Sequence, residues 1–274
     1  MDAGLAAAVG ARSDAIVIER LSIRFGAQVL AVDDFSLRVG AGEFVSIVGP
    51  SGCGKTTVLN QLTGLLPPQQ GTIAILGQAP RAGNADLAYM LARDCLLPWR
   101  TALGNACYGM QMRGVPRARA EARARELLAQ VGLAGFEDHH PKALSHGMRQ
   151  RCALARTFAL DSPILLMDEP FGALDAQTKL ALEDLLLQLW QAERRTVVFI
   201  THDLAEAVAL SDRVIVMSAR PGRIVADVPI ALPRPRSVRA LQKDREFHAI
   251  YTHVWEQLER GIQQSGAVPK AAIA

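Results

Sequence analysis

Residues 49–57 read Gly-Pro-Ser-Gly-Cys-Gly-Lys-Thr-Thr, which fits the pattern G-x-x-x-x-G-K-S/T of a phosphate-binding loop. The loop residues are Gly49, Pro50, Ser51, Gly52, Cys53, Gly54, Lys55, Thr56 and Thr57. The apolar run 44–48 predicts a buried strand before the loop, and Val58, Leu59 and Leu62 recur after it at helical spacing. Backbone N–H groups and a helix N-terminus would then surround a phosphate. The stretch therefore predicts an α/β fold built around a phosphate site.

Composition limits the class of protein. The chain has 274 residues, of which 50% are hydrophobic, enough for one large or two small domains. Its formal charge of +3 is too small to indicate a nucleic-acid partner. Its four cysteines form no C-x-x-C pair, which favours free thiols in a reducing compartment. The alanine-rich residues 1–14 are expected to form a disordered tail and not a signal peptide.

Hydrophobic patterning predicts further elements on both sides of the loop. Strands are predicted at 15–24, 35–39, 72–76, 86–91, 164–167, 196–200, 213–217 and 223–228, and helices at 101–130, 144–160, from 174 onward, and at 239–261. In the first of these helices, arginines such as Arg125 could face an acidic partner. A solvated face, with Glu121 and Arg125 paired at i,i+4, is favoured instead.

Several polar residues stand where predicted strands end or helices begin. Asp168 and Glu169 follow one apolar strand, and His202 follows another. Adjacent acids there are costly unless a cation or proton compensates them, and open α/β sheets bind ligands at this edge. Ser145 is a candidate helix cap, and Gly147 leaves its backbone N–H open to a ligand. We therefore expect the histidine and both acids to be functional.

The order of these motifs resembles that of the nucleotide-binding subunit of an ATP-binding-cassette (ABC) transporter, over residues 17–228. The segments Leu-Leu-Pro-Trp-Arg at 96–100 and Met-Arg-Gln-Arg at 148–151 are similar to the importers of nitrate, sulfonate and taurine. The resemblance implies an α/β P-loop NTPase (RecA-like) core sheet, an antiparallel β subdomain, and a helical subdomain inserted after the Ala92 loop. The ATPase domain would span 15–230, with the helical subdomain at about 100–160 and a linker and helical extension at 231–274.

The resemblance also implies roles for single residues. Phe25, which could equally be a core residue on position alone, would stack on adenine; Lys55 and the rest of the loop would bind the triphosphate. Thr56 and Asp168 would hold Mg²⁺, Glu169 would polarise the attacking water, and His202 would sense the γ-phosphate. The contacts made to a second copy would involve Ser145, Gly147, Met148 and Asp175.

The family's members hydrolyse ATP as head-to-tail dimers. The resemblance therefore implies a homodimer, or a pair with a similar ATPase subunit, at the cytoplasmic face of the inner membrane. Its partners would be integral membrane permease subunits and, indirectly, an external solute-binding protein.

Two positions depart from the family's pattern, and a third residue stands out. Ala92 occupies the place of a glutamine, so we expect ATP binding to persist with weakened turnover or coupling. His146 replaces a glycine; it either meets the triphosphate or, as favoured here, points to solvent. Cys53 lies near a helix N-terminus and Lys55, and both features lower a thiol pKa. We therefore expect alkylation of Cys53 to block ATP binding and Mg-ATP to protect it.

Two other functions remain open from the sequence. A soluble cassette ATPase acting on nucleic acid would share the motifs, although its usual inserted coiled coil or zinc module is not seen. A coupling-impaired regulatory subunit is suggested by Ala92, whereas Glu169 argues for a competent hydrolase.

Overall fold

The computed structural model describes residues 13–26, 29–172 and 174–264. Two sheets organise them, a six-stranded sheet of order β5-β6-β7-β3-β8-β9 and a three-stranded antiparallel sheet of order β2-β1-β4. The strands are β1 (Asp14–Phe25), β2 (Val29–Gly40), β3 (Phe44–Val48), β4 (Gln70–Ile75), β5 (Leu87–Met90), β6 (Ile164–Asp168), β7 (Thr196–Ile200), β8 (Arg213–Met217) and β9 (Ile224–Pro229). Most of the expected tail, 1–14, lies outside the described residues.

The large sheet is parallel except for its edge strand β9, which runs antiparallel to β8. Every residue of β3, β6 and β7 is buried. Both faces of these strands are covered, which explains why their sequences are continuous apolar runs. Ile200 pairs with Ile47 on one side and with Asp168 on the other. This register brings the carboxyl ends of β3, β6 and β7 to one level.

Helices cover the sheet and form a separate group around α2, α3 and α4. They are α1 (Lys55–Leu62), α2 (Ala102–Met112), α3 (Arg117–Gln130), α4 (His146–Ala159), α5 (Ala176–Glu193), α6 (Leu204–Leu210), α7 (Val238–Leu241) and α8 (Arg245–Gln264). The buried residues form two apolar clusters, and in the larger one the ring of Phe44 meets the rings of Trp190 and Phe199. The predicted α/β class, with its antiparallel sheet and added helices, is confirmed.

The structure differs from the sequence-based expectations in several elements. The helical stretch 101–130 is two helices, because Gly114 has a φ of 75° and Pro116 lacks an N–H. The C-terminal helix is likewise divided, and the Asp244 carboxylate caps its longer part by accepting the N–H groups of Glu246 and Phe247. Helix α6 was not predicted, and β2 begins six residues earlier than expected, at Val29.

One predicted ion pair is wrong. Glu121 pairs with Arg117, with Nε and Oε1 2.7 Å apart, and not with Arg125. The pair still lies along the solvated face of α3, as expected. Within residues 13–26, 29–172 and 174–264, no helix combines the length and apolarity that a membrane span requires.

Candidate functional site

The phosphate loop joins β3 to α1, as the sequence predicts. Gly54 has a φ of 104°, and a Cβ there would lie 2.6 Å from the Val32 side chain. Gly52 also has a positive φ, 77°. Because L side chains rarely adopt such angles, the loop needs glycine at both positions. The tight turn leaves Lys55 as the first residue of α1.

The ammonium group of Lys55 is buried within this loop. Its Nζ donates hydrogen bonds to the carbonyl oxygens of Gly49, at 2.8 Å, and Pro50, at 3.2 Å. The N–H of Cys53 donates to the same Pro50 oxygen at 3.3 Å. Among the described residues, no carboxylate lies within 4.0 Å of this ammonium. A buried cation with only neutral acceptors is suited to receive an anionic ligand.

Asp168, at the end of β6, lies against the start of α1. Its Oδ1 accepts the hydroxyl of Thr56 at 3.1 Å. Burial, and to a lesser extent the charge of Glu169, raise the pKa of Asp168, although Thr56 and Lys55 act in the opposite direction. A carboxylate and a hydroxyl are hard oxygen ligands of the kind Mg²⁺ takes. The undercompensated buried charge of Asp168 is therefore consistent with a cation site beside the phosphate loop.

Glu169 and His202 meet across the ends of β6 and β7. The Nδ1–H of His202 donates to Glu169 Oε2 at 3.0 Å. Glu169 has a φ of 46°, and its N–H donates to the Ile200 carbonyl at 2.9 Å. This backbone hydrogen bond fixes the residue in a conformation that a non-glycine residue seldom adopts. The structure thus joins into one pair two residues that the sequence singled out separately.

A partly buried charged cluster lies behind His202, and sequence reasoning missed it. Lys179 of α5 donates to Asp203 Oδ2 at 2.7 Å, and it lies 3.9 Å from Glu183 and 3.7 Å from Glu206. The hydroxyl of Thr201 donates to Glu206. Asp203 also caps α6 by accepting two backbone N–H groups. The cluster therefore ties the start of α5 to the segment that carries the histidine.

The start of α4 is built as predicted, with the Ser145 hydroxyl accepting the N–H of Met148 at 3.3 Å. A Cβ on Gly147 would lie 2.9 Å from the Thr178 methyl group, so α4 and α5 begin in close contact. Asp175 caps α5, accepting the N–H groups of Gln177 and Thr178 at 3.1 and 3.0 Å. In the part of the chain that the structure describes, no hydrogen bond joins this turn to the phosphate loop.

The remaining sequence-predicted positions lie at the surface. Phe25 ends β1, and 46% of its side chain is exposed. His146 is exposed at the start of α4. Ala92 is exposed in the loop that follows β5.

The expectation of a reactive Cys53 is wrong. The residue is buried, and the loss of solvation raises the pKa of its thiol despite the opposing effects of Lys55 and the nearby backbone. The position of Cys53 in the phosphate loop, taken alone, had suggested a lowered thiol pKa. The side chain in fact points into the core between the sheets, with neighbours that include Met217 and Val58 in one apolar cluster.

Two further side chains reach the site and were not identified from the sequence. The hydroxyl of Tyr89 faces Asp168; burial and then the charge of Asp168 raise the pKa of this phenol. Arg220, in the turn between β8 and β9, donates from Nε and Nη2 to the Gly52 carbonyl oxygen at 3.2 and 3.0 Å. The only sequence signal for Arg220 was its position just after a strand, which did not indicate its partner.

Comparisons with known proteins give the family. The model of the ABC transporter family matches residues 32–172. A putative ATP-binding protein of Brucella abortus (strain 2308) is 46% identical over 241 residues, covering 88% of this chain and 92% of that protein. A taurine import ATP-binding protein (TauB) of Burkholderia pseudomallei (strain K96243) is 42% identical over 238 residues, covering 85% and 92%.

A solved dimer of the ATP-binding cassette MJ0796, in a post-hydrolysis state bound to ADP and Pi, has a TM-score of 0.68 at 29% identity. The likeness covers 80% of this chain and all of that one. Fold, loop geometry and sequence identity therefore agree, and the chain belongs to the ABC transporter family, as an ATP-binding and ATP-hydrolysing subunit.

Proposed function

We propose that this chain powers the import of a small anion, such as nitrate, a sulfonate or taurine, through separate membrane subunits. The observation that carries the energising role is the site at one sheet edge, where the buried Lys55, the Thr56–Asp168 pair and the Glu169–His202 pair meet. The identity of 42% to a taurine import ATP-binding protein supports the solute class.

The side chains of the site divide the chemistry among them. Lys55 would exchange its two carbonyl acceptors for phosphate oxygens of ATP, and the loop glycines would offer their N–H groups. Thr56 and Asp168 would hold Mg²⁺, which when bound neutralises charge on the phosphates. Glu169 is the general base that accepts a proton from the attacking water. His202 holds the Glu169 carboxylate, and it would also donate to the γ-phosphate.

A second copy completes the site in this proposal. The Ser145–Met148 turn has a capped helix start and a glycine N–H, yet it does not hydrogen-bond to its own phosphate loop among the described residues. A head-to-tail dimer would place this turn over the partner's triphosphate, with Asp175 at the seam and Phe25 stacked on adenine. ATP would then join two protomers, and hydrolysis would release them.

The segment 96–100 is the proposed docking point for a permease subunit. Trp99 is 71% exposed, an unusual position for a tryptophan. The segment is nevertheless held firmly, because Asn105 accepts the Leu97 N–H at 2.7 Å and donates to the Leu97 oxygen at 3.1 Å. A segment whose backbone is held in this way can transmit force to a partner, which a mobile loop cannot.

The two residues just before this docking segment, Asp94 and Cys95, are bound to the helix that begins with the Ser145 turn. Arg149 of α4 pairs with Asp94 at 3.0 Å, and Arg156 donates to the carbonyl oxygens of Asp94 and Cys95, both at 2.7 Å. Movement of α4 on dimer closure would therefore displace the docking segment. We place the subunit at the cytoplasmic face of the inner membrane, with an external solute-binding protein as an indirect partner.

Reconstitution tests the proposed function. The chain should bind Mg-ATP, and Glu169→Gln should trap ATP and shift the chain from monomer to dimer by size-exclusion chromatography. With its permease and binding protein, ATP hydrolysis should rise when nitrate, a sulfonate or taurine is added. Trp99→Ala should reduce that stimulation, whereas Met112→Ala, at another exposed apolar side chain, should retain it. Failure to bind Mg-ATP would refute the energising role.

A further inference from the structure

We propose, on the basis of the ATP site proposed above, that Arg220 is a positioning residue of the phosphate loop. It acts by holding the Gly52 carbonyl group outward, so that the N–H of the same peptide unit faces the triphosphate. Arg220 belongs to the turn 218–223 between β8 and β9, which is remote in sequence from the loop. Its guanidinium is bound to the loop by two hydrogen bonds to one oxygen, at 3.2 and 3.0 Å.

The geometry of the peptide unit carries the argument. The Gly52 carbonyl and the Cys53 N–H belong to one planar trans peptide and therefore point in opposite directions. The carbonyl points to Arg220. The N–H points to the Pro50 oxygen, at 3.3 Å, and that oxygen also accepts the Lys55 ammonium at 3.2 Å. Two donors thus converge on one oxygen, and a phosphate oxygen can take its place.

The turn that carries Arg220 is itself fixed against the loop. Gly222 donates its N–H to the Ala31 oxygen at 2.9 Å and accepts the Asp33 N–H at 3.0 Å. A Cβ at Gly222 would lie 2.0 Å from the Cys53 carbonyl oxygen, so only glycine allows this approach. The turn is therefore anchored to β2 and lies directly against the loop backbone. Arg220 extends from a rigid support.

The charge of Arg220 is not otherwise compensated in the structure. No carboxylate pairs with it among the described residues, whereas Arg223, three residues along the same turn, forms an ion pair with Asp33. The guanidinium therefore makes its hydrogen bonds to the loop carbonyl while carrying a full charge. Charge-assisted hydrogen bonds of this kind are stronger than neutral ones. Such a bond holds a peptide in one orientation before the ligand arrives, which lowers the cost of binding.

The experiment compares ATP affinity and turnover in four variants of the full chain. Arg220→Ala should weaken Mg-ATP binding and raise the KM for ATP by roughly tenfold, the effect of losing one positioned charged hydrogen bond. The kcat at saturating ATP should stay within about twofold, because bound phosphates can themselves orient the loop. Arg220→Lys and Arg220→Gln each keep a donor, one with charge and one without, and both should recover part of the affinity.

Arg223→Ala is the matched control, since it removes the same charge from the same turn without touching the loop. It should leave the affinity for ATP unchanged. The proposal is overturned if Arg220→Ala binds ATP as the wild type does, if Arg223→Ala weakens binding equally, or if kcat falls while KM is constant. If Arg220→Ala does not fold, the lysine and glutamine variants decide: both should bind Mg-ATP more weakly than the wild type, and wild-type affinity in both overturns the proposal. Absence of Mg-ATP binding by the wild type would instead refute the proposed function.

Discussion

The charged cluster behind His202 makes stability depend on pH, and Glu206→Gln tests this. One ammonium, that of Lys179, lies within 4.0 Å of carboxylate oxygens of Asp203, Glu183 and Glu206. Burial, opposed in part by Lys179, raises the pKa of Glu206 to about 8 from its ordinary 4.5. Burial raises the pKa of Glu183 as well. The cluster therefore retains a proton at neutral pH.

The direction in which stability changes with pH follows from proton linkage. A carboxyl group whose pKa is higher in the folded than in the unfolded chain stabilises the folded state. This contribution is complete at pH values below the ordinary pKa, and it is lost as the pH rises through the pKa of the folded state. At about 1.4 kcal/mol per pKa unit, a shift of this size sets an upper limit of about 5 kcal/mol. Because Glu183 shares the retained proton with Glu206, we expect roughly 2 kcal/mol from Glu206 alone.

Glutamine keeps the shape of Glu206 and can still accept the Thr201 hydroxyl, but it has no charge to bury at any pH. We therefore expect Glu206→Gln to gain stability over the wild type between about pH 5 and about pH 9. For a chain of this size the relative gain in Tm should be about 4–8 °C. Thermal unfolding followed by circular dichroism, without nucleotide, measures it.

Glu246→Gln is the control, because it makes the same Glu-to-Gln change at an exposed position on α8, away from the charged cluster. The Tm of this variant should change with pH as that of the wild type does, between about pH 5 and about pH 9. Equal pH dependence in Glu206→Gln and wild type, or a variant that loses more stability at high pH, would contradict the reasoning.

Three further substitutions or treatments test the site. Ala92→Gln should raise ATPase turnover or its coupling to permease, by about a hundredfold at most; a slower or unchanged variant in a phosphate-release assay counts against the expectation. Tyr89→Phe removes the hydroxyl that faces Asp168 and should shift the Mg²⁺ concentration for half-maximal ATPase while binding of metal-free ATP stays constant. Iodoacetamide should label the exposed Cys95 well before the buried Cys53, as peptide mass spectrometry would show; early labelling of Cys53 would contradict its burial.

Local sequence was enough for the parts of the site that lie next to one another in the chain. The loop from Gly49 to Thr57, the acids Asp168 and Glu169, and the cap at Ser145 were all placed on the right elements. A phosphate loop is defined by glycine spacing, and a strand-end acid by the apolar run before it, so a window of about ten residues contains the signal. The buried strands of the core followed from the uninterrupted apolar runs.

Tertiary structure alone decided which of these residues touch. Glu169 and His202 are 33 positions apart, and Arg220 and Gly52 are 168 apart. Their contacts depend on strand register and on the turn that follows β8, which no local pattern specifies. The pKa of the Cys53 thiol likewise depends on the tertiary structure. Its neighbours in sequence favour a lowered pKa, but the burial that raises it comes from distant strands packing around it.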